Sequence, residues 1–109
     1  MTNWTQPEAI SICMAIEAIC PKFGCHVALT GGLLYKDGPR KDCDILFYRI
    51  RQVKEIRAEA MFEALRALEI IVVSGFGWCV KCTWNGKPMD CFFPEELEGG
   101  YDPEPEKTI

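Results

Sequence analysis

Asp42-Cys43-Asp44-Ile45-Leu46-Phe47-Tyr48 is the stretch whose reading decides the fold. Two acids, one residue apart, open an apolar run of strand-forming residues. In a strand, residues i and i+2 share a face, so a strand over residues 42–48 sends both carboxylates the same way, roughly 6–7 Å apart at ~3.3 Å per residue. Like charges so placed repel, and folding alone gives no reason to keep them. A divalent cation does, because Mg²⁺ and Mn²⁺ favour hard oxygen ligands.

Upstream lies a second apolar run, His26-Val27-Ala28-Leu29-Thr30, which ends in Gly31-Gly32. A glycine pair after a strand lets the backbone approach a ligand or turn at positive φ. The polar loop between the two runs holds Lys36, Arg40 and Lys41, with Asp37-Gly38-Pro39 as a turn and Leu33-Leu34-Tyr35 as a short helix. His26, the one histidine, reads as a surface or hydrogen-bonded residue at a strand edge.

Further out, Thr5-Gln6-Pro7-Glu8 has the form of a capping box. Ala9, Ile12, Cys13, Ile16, Ile19 and Cys20 follow at helical spacing until Pro21, with Met14 and Glu17 off the stripe and on the surface. After the Asp42 strand, Arg49 and Arg51 lead away at its far end. Val53, Ile56, Ala60, Ala64, Leu65 and Leu68 then predict a second long helix over residues 53–68. Residues 70–74 read as a strand, Gly75-Phe76-Gly77 as a bulge or bend, and residues 78–84 as a continuation of extended chain. Asn85-Gly86 is a strong hairpin signal, and the return strand over residues 87–93 carries Asp90 and stops at Pro94.

Asp90 stands in an otherwise apolar strand, where an ionised carboxylate is costly unless paired or bound to metal. If that strand lies beside residues 42–48, three carboxylates meet at one end of the sheet. The residues Leu29-Thr30-Gly31-Gly32, Asp42-Cys43-Asp44-Ile45 and Met89-Asp90-Cys91 together resemble the motifs of the nucleotidyltransferase superfamily. That superfamily includes DNA polymerase beta, poly(A) polymerases, CCA-adding enzymes and minimal nucleotidyltransferases. The likeness covers about residues 5–94.

The resemblance implies an α+β fold: a nucleotidyltransferase-like mixed β-sheet flanked by two long helices, in a single domain. It implies metal binding by Asp42, Asp44 and Asp90, with Asp90 also a general base, and Mg²⁺ or Mn²⁺ as cofactor. Gly31 and Gly32 would bring backbone N–H groups to the phosphates of a nucleoside triphosphate such as ATP. Lys36, Arg40 and Lys41 are the basic candidates for the same phosphates, with a solvated charged face as the plainer reading. The implied reaction is attack of an unidentified hydroxyl (on a protein, an RNA end or a small molecule) at the α-phosphorus. The loop lacks the Arg-Asp pair of CCA-adding enzymes, and Lys41 stands where minimal members often have Ser. Contacts to base and acceptor would come from a homodimer or a partner protein supplying a second domain. The alternative is an inactive nucleotide-binding or protein-interaction module on the same fold.

Composition bounds these readings. The 109 residues suit one domain over residues 1–94, followed by an acidic tail over 95–109 expected to be flexible. A net charge of −4 argues against a broad nucleic-acid footprint. No apolar run is long enough to span a bilayer and no signal-peptide layout is present, which predicts a cytoplasmic protein. The seven cysteines read mainly as reduced, buried small hydrophobes. Cys79-Val80-Lys81-Cys82 has metal-knuckle spacing, but in a strand its two thiols face opposite ways. Trp78 and Trp84 read as packing residues rather than base-stacking ones.

Overall fold

The computed structural model describes residues 3–35, 38–76 and 78–94. The expected tail over 95–109 lies outside them. Among the described residues five strands form one mixed sheet in the order β1-β2-β5-β4-β3. They are β1 (Cys25–Thr30), β2 (Cys43–Arg49), β3 (Ile70–Phe76), β4 (Cys79–Trp84) and β5 (Lys87–Phe92). Of these strand pairs β2–β5 is parallel and the others are antiparallel. Among the described residues three α-helices accompany the sheet: α1 (Gln6–Glu17), α2 (Gly32–Tyr35) and α3 (Ala58–Leu65). None is long and apolar enough to cross a membrane.

Alternation along the strands divides the sheet into two unlike faces. On β2, Cys43, Ile45 and Phe47 are buried. On β5, Met89 and Cys91 are buried as well. These side chains join Ile12 and Ile16 of α1 and Met61 and Leu65 of α3 in one core. The helices therefore cover one face, where Phe47 stacks on Phe93 with centroids 4.8 Å apart. The opposite face carries the intervening residues, including Asp44, Leu46 and Tyr48 on β2 and Asp90 and Phe92 on β5.

The capping box forms as the sequence predicts. The Thr5 hydroxyl accepts from the Glu8 N–H at 3.4 Å, and the Glu8 carboxylate accepts from the Thr5 N–H at 3.1 Å. The helix stops at Glu17, so Ile19 and Cys20 lie past it, and Cys20–Phe23 form a 3₁₀ turn with Pro21 in its first turn. Gly24 closes that turn at φ 98°, where a Cβ would press on the Glu55 carbonyl at 2.9 Å. Glu17 is not a bare surface residue. Its carboxylate meets His26 Nδ1 at 2.6 Å and accepts the Val27 N–H at 3.0 Å, tying α1 to β1.

Three expectations need correction. The second helix spans eight residues, not the long run over 53–68, and a 3₁₀ turn over Arg66–Leu68 extends it. Before Ala58 the backbone is committed elsewhere: the Arg57 N–H donates to the Phe23 carbonyl at 2.9 Å, and its guanidinium donates to the Lys22 carbonyl. The true buried stripe is therefore Met61 and Leu65, with Ala60 exposed. Second, the segment over 70–84 is an antiparallel hairpin, β3 to β4, in which Phe76 pairs with Cys79. The register shift lies between Val72 and Ser74, before the glycines. As an edge strand, β3 leaves Ile71, Val72 and Val73 exposed. Third, Asp42 lies outside the strand. The preceding chain is drawn aside by an antiparallel bridge, in which Trp4 N–H donates to the Arg40 carbonyl at 2.7 Å and Arg40 N–H to the Trp4 carbonyl at 3.0 Å.

The Asn85-Gly86 turn behaves as expected. Both residues have positive φ, 52° and 77°, the signature of a two-residue hairpin turn. It sets Trp84 opposite Lys87 and, counting back, Lys81 opposite Asp90.

Candidate active site

The open face of the sheet brings together acids far apart in the chain. β2 and β5 run parallel in a register that makes Asp44 and Asp90 direct partners. Thr30, the last residue of β1, is the partner of Asp44 on its other side. Residues paired across strands share a face, so Asp44 and Asp90 emerge side by side. Asp42, two residues before Asp44, is exposed.

Gly31 turns the chain directly above this point, at φ 74°. A Cβ built there would collide with Asp44 Oδ2, so only glycine allows backbone and carboxylate to approach so closely. Gly32 opens α2, and a Cβ there would lie 3.2 Å from Arg40 Nε. That nitrogen is buried, with no hydrogen-bond partner among the described residues. The two glycines thus let the backbone close down on one carboxylate and one guanidinium.

A cleft of about 390 Å³ opens beside them, lined by Asn3, Gly32, Arg40, Lys41, Asp42 and Asp44 among others. Lys41 and Asp42 are exposed and Arg40 is half-buried. Lys36 lies outside the described residues. Arg49 ends β2 opposite Cys25, at the far end from Asp44, and its Nη1 donates to the Val53 carbonyl at 2.5 Å.

Electrostatics mark Asp44. Burial pushes its carboxyl above the ordinary 3.8, and the charges of Asp90 and Asp42 push it further, against a smaller lowering by Lys81. Asp90 is balanced differently. Lys81 Nζ lies 3.0 Å from Asp90 Oδ1, with the Asp90 side chain 15% exposed and that of Lys81 43%. The hydrogen bond to Asp90 in turn raises the Lys81 amine. Between the first two acids, burial pushes the Cys43 thiol up to about 12, which makes it inert packing and not a nucleophile.

Among the described residues, no three His, Cys, Asp or Glu side chains form a group that could hold a metal ion alone. The donor chemistry fits Mg²⁺ or Mn²⁺ in a different way. These ions are commonly held by one or two carboxylates plus substrate phosphates, not by an all-protein cage. Asp44, half-buried and crowded by negative charge, suits that arrangement, with Asp42 in the same cleft.

Sequence reasoning missed Lys81 and Trp4. Lys81 was findable, because the hairpin turn fixes its partner. Trp4 was not. It is fully buried, its indole N–H donates to the Pro88 carbonyl at 2.6 Å, and it stacks on Trp84 with centroids 5.3 Å apart. Lys87 lies over both indoles and reaches Glu8 at 2.5 Å. The N-terminal segment thereby pins the loop that carries Arg40. Trp78 packs on Phe92, and Cys82 lies 3.9 Å from Cys91 in the core.

No protein-family model matches the sequence, and no curated protein matches it. Solved structures do match in fold. Cid1, described for its RNA terminal uridylyl transferase activity, superposes with a TM-score of 0.65 at 14% identity, over 84% of this chain and 32% of Cid1. A cytoplasmic RNA terminal U-transferase matches with the same TM-score and identity, over 86% of this chain and 30% of that one. Cid1 bound to the UTP analog UMPNPP matches at 0.63 and 14%, over 84% and 29%. The chain spans about a third of the length of these enzymes. On strand order, acid placement and superposition together, the chain has the fold of the nucleotidyltransferase superfamily.

Proposed function

We propose that this chain is a metal-dependent nucleotidyltransferase domain, which moves a nucleoside monophosphate from a nucleoside triphosphate to a hydroxyl acceptor. One observation carries the reading: Asp44 and Asp90 are register partners on the face that no described helix covers, under a glycine turn that has no room for a side chain. Folding stability alone gives no reason to put two acids side by side there.

Each residue then has a task. Asp42 and Asp44 hold the divalent ion. Asp90 completes the acidic set and takes the proton of the attacking hydroxyl. Gly31 and Gly32 admit the phosphates close to backbone N–H groups. Arg40, whose Nε is buried with no partner among the described residues, meets the triphosphate together with Lys41, and Lys36 is a further basic candidate for the same phosphates. When bound, Mg²⁺ or Mn²⁺ would neutralise charge developing on the entering and leaving oxygens. Attack at the α-phosphorus releases pyrophosphate. UTP is the first substrate to try, because Cid1, a neighbour in fold, was solved with a UTP analog and also with its product ApU. A second reading, a binding module without turnover, is favoured by Lys81, which already neutralises Asp90.

Calorimetric titration with UTP and with ATP, in Mg²⁺ and in EDTA, tests the proposal. It predicts heat of binding only with metal, lost in Asp44→Asn. No binding of either nucleotide at millimolar concentration contradicts it. Binding without pyrophosphate release across a panel of hydroxyl acceptors selects the second reading.

A further inference from the structure

We infer that Lys81 supplies the second positive charge of the site, so that this domain takes one divalent ion with its nucleotide where a two-metal clamp would take two. The inference rests on the nucleotidyltransferase reading above and assigns a positioning residue within it. Three side chains lie in a row across three neighbouring strands of the open face: Asp44 on β2, Asp90 on β5 and Lys81 on β4. Asp90, in the middle, is the partner of both. Its Oδ1 is 3.0 Å from the Lys81 ammonium.

The pairing is built in. Asn85-Gly86 sets the register of the hairpin, so Lys81 stands opposite Asp90 whatever its rotamer. Asp90 is the more enclosed of the two, and that favours a charge-assisted hydrogen bond over solvation of its carboxylate. A divalent ion on the same carboxylate would sit within a few ångströms of the ammonium. Repulsion grows with the product of the charges and inversely with distance, and it is poorly screened at a half-buried group. The strand partners of Asp44 are Thr30 and Asp90, and Lys81 acts on Asp44 only as the weakest of the influences on its carboxyl. The ion therefore belongs with Asp44 and Asp42, in the cleft that Arg40 and Lys41 also line. Asp90 is left as a lysine-held carboxylate that orients the acceptor hydroxyl and takes its proton.

The test counts ions. Mn²⁺ is titrated into the full chain with one equivalent of UMPNPP, and the free ion is followed by electron paramagnetic resonance. The wild type and Lys81→Arg are expected to saturate at one Mn²⁺ per chain. Lys81→Met is expected to take a second, with affinity raised about tenfold or more over any second ion in the wild type. Two ions of similar affinity in the wild type overturn the inference and leave the proposed function standing. Equal counts in the wild type and Lys81→Met overturn it too. Failure of UMPNPP to bind at all removes both. If Lys81→Met does not fold, the wild-type count decides alone.

Discussion

The two faces of the sheet are built from alternate residues of the same strands and follow opposite rules. On β2, Cys43, Ile45 and Phe47 point into a core closed by α1 and α3, while Asp44, Leu46 and Tyr48 point the other way. The helix-covered face is held by burial, to which each large apolar side chain contributes about 1.5–3 kcal/mol. The open face gathers an acid, a second acid and a lysine at one end, and its charges oppose stability as much as they support it. A face that gives up stability at particular residues is a candidate place for chemistry, and it is where the proposed site lies.

That contrast can be broken from the covered side first. Phe47→Ala removes a fully buried ring stacked on Phe93 and tilted against Phe62 and is expected to cost about 3–5 kcal/mol, read from urea unfolding. A loss below about 1 kcal/mol would mean the aromatic cluster is not the core of this domain.

Asp44→Asn sharpens it from the other side. Metal-dependent nucleotide binding should weaken by about 10²-fold, worth about 2.7 kcal/mol, while metal-free stability at neutral pH is unchanged or rises. The sign follows from linkage. The folded Asp44 carboxyl titrates above its ordinary 3.8, so its proton is held more tightly by the native state. Stability from this group is full at low pH and is lost as pH climbs through the raised value. Urea melts of the wild type and Asp44→Asn across pH 3–7 should therefore converge in acid and separate toward neutrality. Melts that separate in acid instead would reverse the assignment.

Gly31→Ala acts on both faces at once. It imposes positive φ on a residue with a side chain and drives a Cβ into Asp44, at an expected cost of about 1–2 kcal/mol and a drop in nucleotide affinity. Unchanged stability and affinity would show that the close approach has no consequence. Smallest is Thr5→Ala, which deletes the cap of α1 and should cost about 1 kcal/mol in thermal unfolding without touching nucleotide binding.

How much of this was legible in the sequence depended on the range of the interaction. The capping box at Thr5 and the hairpin at Asn85-Gly86 are local, and each formed where its residues stand. The same turn also carried the Lys81–Asp90 pairing, which needed only counting. The start of α3 was not legible. Val53 and Ile56 sit at helical spacing, but Arg57 is held by Phe23 and Lys22, thirty-odd residues upstream, and tertiary bonds override propensity there. The β3–β4 hairpin was missed because Gly75-Phe76-Gly77 lacks a two-residue turn signature. The bridge between Trp4 and Arg40 leaves no periodic mark in either segment. For the candidate site, the motif residues were readable, but the parallel register that makes Asp44 the neighbour of Asp90 is a non-local fact of the fold.

The central claim is that one end of the open face holds a divalent ion, and paramagnetic broadening tests it most directly. Sub-stoichiometric Mn²⁺ added to ¹⁵N-labelled protein with UMPNPP should erase the amide signals of Gly31, Gly32, Asp42 and Asp44 first, and spare Met61, Leu65 and Ile16 beneath the sheet. Broadening centred elsewhere, or none at any Mn²⁺ level that saturates the nucleotide, would contradict the account.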